Sequence, residues 1–291
     1  MNHLAPFPPR LDPVKFQHPN ITAKGETRAT VSLRSLETLW FNTGTLCNIT
    51  CDHCYIESSP RNDRLAYITL ADVREYLDEI AASRLPTTTI GLTGGEPFMN
   101  PAIIPILTLC LERGFRTLVL TNAMAPMRRH RADLLALKNM YPDRLTIRVS
   151  LDHYTRDVHE AERGPNTWDQ ALKGLTWLAS NGFGIDIAGR HFNGEPEAAL
   201  RAGYARLFAE HAIPIDANDP VHLMLFPEMD PDRDVPEITT DCWGILHKSP
   251  DDVMCASARM VVRRKDAAHP TVLACTLLAY DPRFELGRTL A

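Results

Sequence analysis

From residue 38 onward, six short strand-like runs alternate with helix-like runs, and this alternation limits the fold more than any other feature. The strand-like runs are 38–42, 88–92, 116–121, 145–151, 184–188 and 221–226, all rich in Val, Ile, Leu and Thr. Between them, 69–83, 101–113, 131–140, 167–181 and 195–211 read as helices. Thr69-Leu-Ala-Asp72 predicts an N-cap with an acid in the first turn. Pro101 and Gly114 bracket the second helix. Strands separated by helices pair in parallel through crossovers, so the class is α/β. A closed barrel of this kind needs eight units and about 250 residues. Six units predict a partial (β/α)6 barrel, TIM-like but open. Catalytic groups on such folds gather at the C-terminal ends of the strands.

Chemistry-bearing residues sit at those ends. Cys47-Asn-Ile-Thr-Cys51-Asp-His53-Cys54 follows the first strand. Three thiolates at C-x3-C-x2-C on one loop can hold three irons of a [4Fe-4S] cube and leave the fourth open to a small molecule. Zinc is the alternative, but it wants four ligands, usually in cysteine pairs, and no second pair lies nearby. Thr93-Gly94-Gly95-Glu96-Pro97 follows the second strand. Two glycines let the backbone approach a ligand, and the Glu96 carboxylate can pair with an ammonium; a plain strand-to-helix turn is the alternative. Asn122 ends the third strand and Arg190 follows the fifth. Ser150-Leu-Asp152 ends the fourth, with Ser150 and Asp152 on one face because i and i+2 point the same way.

In that order, the cysteine loop, the Gly-Gly-Glu and the Ser-Leu-Asp resemble the radical S-adenosylmethionine (SAM) superfamily, over roughly residues 38–195. The resemblance implies a [4Fe-4S] cluster on Cys47, Cys51 and Cys54, with SAM chelating the open iron through its amine and carboxylate. It implies that Glu96, beside Gly94 and Gly95, pairs with that amine. Ser150 and Asp152 then face the ribose or methionine portion, Arg190 meets the SAM carboxylate, and Asn122 is a further contact. His53 precedes the third cysteine, where the family often has an aromatic side chain near adenine, and Tyr55 is a second candidate for that wall. The stretch 159–164 is similar to one common after this strand in the family and reads as structural. The implied reaction is reductive cleavage of SAM to a 5′-deoxyadenosyl radical that abstracts hydrogen from a substrate. A flavodoxin or ferredoxin is the implied electron donor.

Cys242, Cys255 and Cys275 form a second constellation. Cys255 and Cys275 flank a predicted hairpin over 259–264 and 271–274. This is similar to the first half of a SPASM domain, or to its shortened twitch form, and implies an auxiliary [4Fe-4S] cluster. Three buried structural thiols, or a zinc site, are the alternatives. Segment 284–290 resembles the stretch after the hairpin in SPASM proteins, where further cysteines come next; a twitch-like natural end and a truncated chain are both compatible with it. The expected division is an irregular arm over 1–35, a radical SAM barrel over 36–228 and a small cysteine-containing extension over 229–291. Cys110, in a Leu-rich helix, reads as core.

The chain has seven cysteines, an odd number that argues against a disulfide framework. No apolar run approaches the ~20 residues of a membrane span, and the first twenty residues lack a signal pattern. A cytoplasmic location is expected. Net charge is -5 and no basic run exceeds Arg128-Arg129-His130-Arg131, which argues against a nucleic-acid partner. No membrane partner is expected either. The substrate class is a peptide or a small molecule, in peptide modification or cofactor and natural-product biosynthesis. A redox sensor that keeps its clusters without SAM turnover is the competing reading; loss of Gly-Gly-Glu would favour it, and that motif is intact.

Overall fold

The computed structural model describes residues 12–191, 194–228 and 234–290. Six strands pair in parallel in chain order: β1 (Thr38–Asn42), β2 (Thr89–Thr93), β3 (Arg116–Thr121), β4 (Leu145–Ser150), β5 (Gly184–His191) and β6 (Leu223–Pro227). The sheet stays open, as six units predict. Helices α1 (Leu70–Ala82), α2 (Ile103–Glu112), α3 (Ala125–Arg129), α4 (Arg131–Met140), α5 (Arg156–Arg163), α6 (Thr167–Ser180) and α7 (Glu197–Glu210) fill the crossovers. Helices α3 and α5 are additions to the sequence reading. Only His159 and Glu162 of α5 are buried, so no apolar period announces it.

The core follows from the pattern. Leu39, Phe41, Ile90, Leu92, Val119, Ile147, Val149 and Ile187 are all inaccessible to solvent. Helix α2 buries six of its ten residues, Cys110 among them. Helix α1 opens with the expected cap: Asp72 N–H donates to Thr69 Oγ1 at 3.1 Å and Thr69 N–H to Asp72 Oδ2 at 2.9 Å. Asp72 also takes Arg263 at 2.8 Å.

The chain separates into two compact units. The larger holds 36–228 and everything from residue 258 on, so the C-terminal hairpin belongs with the barrel and not with a separate extension. Strand β7 (Ala258–Val262) runs parallel to β1 along its edge, and β8 (Thr271–Leu273) and β9 (Glu285–Gly287) continue the sheet in antiparallel fashion. The physical reason is burial. Met260, Val261 and Val262 are all at most 1% exposed, so both faces of β7 need cover, and β1 offers an edge.

The smaller unit joins residues 1–35 with 229–257; of these, 1–11 and 229–233 lie outside the described residues. Its hub is Glu237, which accepts from the N–H groups of Phe16 (2.7 Å) and Ala23 (2.6 Å) and pairs with Arg28. Helix α8 (Cys242–Leu246) lies in this unit. Among the described residues, no helix is long and apolar enough to cross a membrane.

Candidate cluster and cofactor site

Sheet register brings the first two motifs together. Asn42 of β1 pairs with Thr93 of β2, and the loops beyond stay zipped. Thr43 N–H donates to Thr93 O at 2.7 Å, Gly95 N–H to Gly44 O at 2.8 Å, and Glu96 N–H to Leu46 O at 3.1 Å. This contact demands the glycines. Gly94 has φ +140°, and a Cβ there would lie 2.5 Å from Gly44 O; at Gly95 it would lie 2.2 Å from Leu46 O. The sequence suggested that the pair admits a ligand. The structure shows that it first admits the backbone of the cysteine loop.

The motifs border one open cleft with about 650 Å³ of empty space. Of the residues singled out in the sequence, Cys47, Cys51, Cys54, Gly94, Gly95, Asn122, Ser150 and Arg190 line it, as does Tyr55. Thr93, Thr121, Ser58 and Arg163 also line it and were not anticipated. His53, Glu96 and Asp152 are not among the lining residues; Glu96 and Asp152 are buried, and His53 is partly exposed.

The reasons are local. Strand β4 ends at Ser150, so the alternation that would put Asp152 on the same face stops there. Asp152 is 2% exposed and accepts from Arg163 Nε and Nη2, at 2.7 and 2.9 Å. Burial works against its charged form, yet the Arg163 guanidinium, with Arg190 beyond, holds its carboxyl below the usual range. Arg190 Nη2 donates to His53 O at 2.8 Å. The His53 ring lies 2.9 Å from the Glu162 carboxylate, and this hydrogen bond raises its pKa. Asp152 thus reaches the cleft through two arginines. The stretch 159–164 is more than structural: His159 is buried against Trp168, but Arg163 faces the cleft. The signal lay in Asp152 itself, since a carboxylate buried at a strand end needs a cation close by.

Replacing Asp152 with asparagine leaves two guanidinium groups without their shared anion. Removing one partner of a buried pair typically costs 3–5 kcal/mol, so Asp152→Asn is expected to lower unfolding free energy by about 3 kcal/mol in urea titrations. A variant within about 0.5 kcal/mol of the parent would mean that the pair does not hold the arginines.

Glu96 is 1% exposed. Its carboxylate accepts from Thr121 Oγ1 (2.8 Å), Asn122 N–H (2.9 Å) and Phe98 N–H (3.1 Å). Burial nonetheless pushes its pKa from 4.5 up to about 7. A raised carboxyl pKa stabilises the fold below pH 4.5, and that contribution is lost as pH rises through about 7. At 1.36 kcal/mol per unit the gap from 4.5 to about 7 is about 3 kcal/mol. The thermal midpoint of the ligand-free protein should therefore carry a component that falls between pH 5 and 8. Glu96→Gln, which cannot ionise, should lack it; equal slopes would exclude Glu96 as the source.

The donor set fits an iron–sulfur cube better than one zinc ion. A tetrahedral zinc with Zn–S bonds of about 2.3 Å draws its sulfurs to within ~4 Å of one another. Among the described residues, the one His/Cys/Asp/Glu trio with ligand atoms within 4.8 Å is His53, Glu162 and Glu228, so the three thiols spread wider than zinc allows. Cys47 is buried and Cys51 half-buried: desolvation pushes the Cys47 pKa up to about 12 and raises that of Cys51, against which Arg163 works.

The hairpin braces the loop from outside. Ile56, Leu65 and, in part, Cys54 pack with Met260, Val262, Leu273 and Ala279 in a second core cluster. Tyr280 donates its hydroxyl to Ile56 O at 2.7 Å, and Arg64 lies 3.5 Å above its ring. Of the C-terminal cysteines, Cys242 and Cys255 fall in the smaller unit and Cys275 in the larger.

Comparison with known proteins bears on this cleft. The antilisterial bacteriocin subtilosin biosynthesis protein AlbA of Bacillus subtilis is 30% identical over 143 residues, 49% of this chain and 30% of AlbA. Mycofactocin maturase MftC of Mycobacterium tuberculosis is 26% identical over 143 residues, 49% of this chain and 34% of MftC. The chain thus spans about a third of the length of the curated relatives it matches. SuiB of Streptococcus suis, in a crystal structure with its precursor peptide SuiA, shares the fold with a TM-score of 0.63 at 13% identity, over 88% of this chain and 63% of SuiB. The model of the Radical SAM superfamily matches residues 41–197, from within β1 to the start of α7. A match over more than half of the 291 residues, through every strand end that borders the cleft, settles the family: the chain belongs to the radical SAM superfamily.

Proposed function

We propose that this protein is a radical SAM enzyme that modifies a peptide. The observation that carries the reading is the convergence of Cys47, Cys51 and Cys54 with Gly94, Gly95, Ser150 and Arg190 on one cleft. The superfamily's cofactors are a [4Fe-4S] cluster and SAM, and the chemistry they supply when bound is reductive cleavage of the sulfonium to a 5′-deoxyadenosyl radical that takes hydrogen from the substrate. Cys47, Cys51 and Cys54 hold the cluster. Glu96, already cradled by Thr121 and Asn122, keeps acceptor capacity for the methionine ammonium. Ser150, Arg190 and the unanticipated Arg163 supply donors for a carboxylate, with Asp152 holding both arginines in place. Tyr55, which lines the cleft where His53 does not, offers the aromatic face for adenine.

The substrate class rests on the relatives. AlbA serves bacteriocin biosynthesis, MftC is a maturase, and SuiB is seen with a precursor peptide. An auxiliary [4Fe-4S] cluster, a flavodoxin or ferredoxin as electron donor and a cytoplasmic location complete the reading. The test is anaerobic reconstitution with iron and sulfide, followed by SAM and dithionite. Release of 5′-deoxyadenosine is expected. A brown, iron-loaded protein that releases none would sink the enzyme reading in favour of a redox sensor.

A further inference from the structure

Ser58 is the buried polar group in the cleft wall that the protein leaves unanswered. It is 4% exposed, it lines the cleft together with Cys47, Cys51 and Cys54, and its hydroxyl has no hydrogen-bond partner among the described residues. Buried hydroxyls nearly always have one, so a lone hydroxyl in the wall of a ligand site marks an acceptor that arrives with the ligand. The backbone of the same residue indicates which acceptor. Ser58 N–H donates to Cys54 Sγ at 3.3 Å, which places this residue at the Cys54 corner of the cluster site.

The segment that carries Ser58 is fixed on every side, so the hydroxyl is a preset group. Glu57 N–H donates to Cys54 O at 2.8 Å, and Cys47 N–H donates to Ser59 O at 3.1 Å. The Asn62 amide donates to Glu57 O at 2.8 Å, and Tyr280 holds Ile56 O from the hairpin.

We propose that Ser58 tunes the cluster: its hydroxyl donates a hydrogen bond to sulfur at the Cys54 corner, beside the N–H already given to that thiolate, and so raises the reduction potential. The sign follows from charge. Reduction adds negative charge that spreads onto the sulfurs, and a donor aimed there favours the reduced form. The inference rests on the function proposed above and deepens it, because the potential sets how readily the cluster accepts the electron that SAM cleavage needs.

The test is a redox titration of the reconstituted protein, followed by the electron paramagnetic resonance of the reduced cluster, on the parent, Ser58→Ala and Ser58→Thr. Iron content is measured alongside, with titrations run both without and with SAM. Ser58→Ala should load the parent's iron. At the parent's midpoint, however, its ratio of reduced to oxidised cluster should fall about tenfold, a shift of about 59 mV for one electron. Ser58→Thr keeps the hydroxyl and should lie nearer the parent. Equal midpoints for iron-loaded Ser58→Ala and parent overturn the inference. A shift that appears only with SAM also overturns it, since the hydroxyl would then serve SAM. A parent that takes up no cluster overturns the proposed function, and this inference with it.

Discussion

Replacing Cys47, Cys51 and Cys54 together with alanine is expected to abolish bound iron, brown colour and 5′-deoxyadenosine release while leaving the barrel folded. The thiols are the chemical content of the loop, but they do not hold its shape. That falls to backbone bonds: Thr45 N–H to Leu65 O at 3.1 Å, Cys47 N–H to Ser59 O at 3.1 Å and Asp52 N–H to Glu162 O at 2.9 Å. The loop also leans on the core cluster of Ile56, Leu65 and the hairpin. Cys110→Ala should behave in the opposite way. Its thiol is fully buried in α2 and absent from the cleft wall, so its loss should cost about 1–2 kcal/mol of stability and spare the product. Iron analysis and product chromatography on the two variants make the comparison. Any 5′-deoxyadenosine from the triple variant above a no-protein control would remove the cysteine loop from the mechanism.

Gly95→Ala should do comparable damage through one methyl group. Its Cβ would lie 2.2 Å from Leu46 O, 2.6 Å from Leu46 C and 2.8 Å from Thr45 O. All three are backbone atoms, so no side chain can rotate away. Either the bonds from Gly95 N–H to Gly44 O and from Glu96 N–H to Leu46 O break, or the cysteine loop moves. Overpacking of this kind costs about 3 kcal/mol or more, and the strain falls on the loop that carries the cluster ligands. Loss of iron uptake and a lower unfolding midpoint are expected together. A Gly95→Ala protein that loads full iron and melts with the parent would show that the close approach is not required.

The two variants separate motif from context. The cysteine spacing was legible in the sequence because three thiols so close together have few other uses. The reason for Gly95 was not, because the backbone it must admit belongs to residues some fifty positions earlier. The same division holds for the acids. Glu96 and Asp152 stand out in the sequence as carboxylates at strand ends, and motif order alone gives them similar tasks. Their environments differ. Asp152 is neutralised by Arg163 and Arg190 and held below the usual pKa range, whereas at Glu96 burial outweighs the hydrogen bonds and the pull of Arg163, and its pKa rises to about 7. His53 and Tyr55, two positions apart, likewise exchange places: the histidine turns to Glu162 and the tyrosine lines the cleft.

By itself, the sequence determined the parallel α/β order, the open barrel and the superfamily. Burial on both faces makes parallel strands read as apolar runs, and short motifs at their ends keep their spacing within one loop. Only the tertiary structure decided that the C-terminal hairpin continues the barrel sheet, that Arg163 reaches the cleft, and that Ser58 borders it without a hydroxyl partner among the described residues. Each of these depends on contacts between distant segments. Side-chain burial and charge pairing across such contacts follow from packing, which local pattern does not encode.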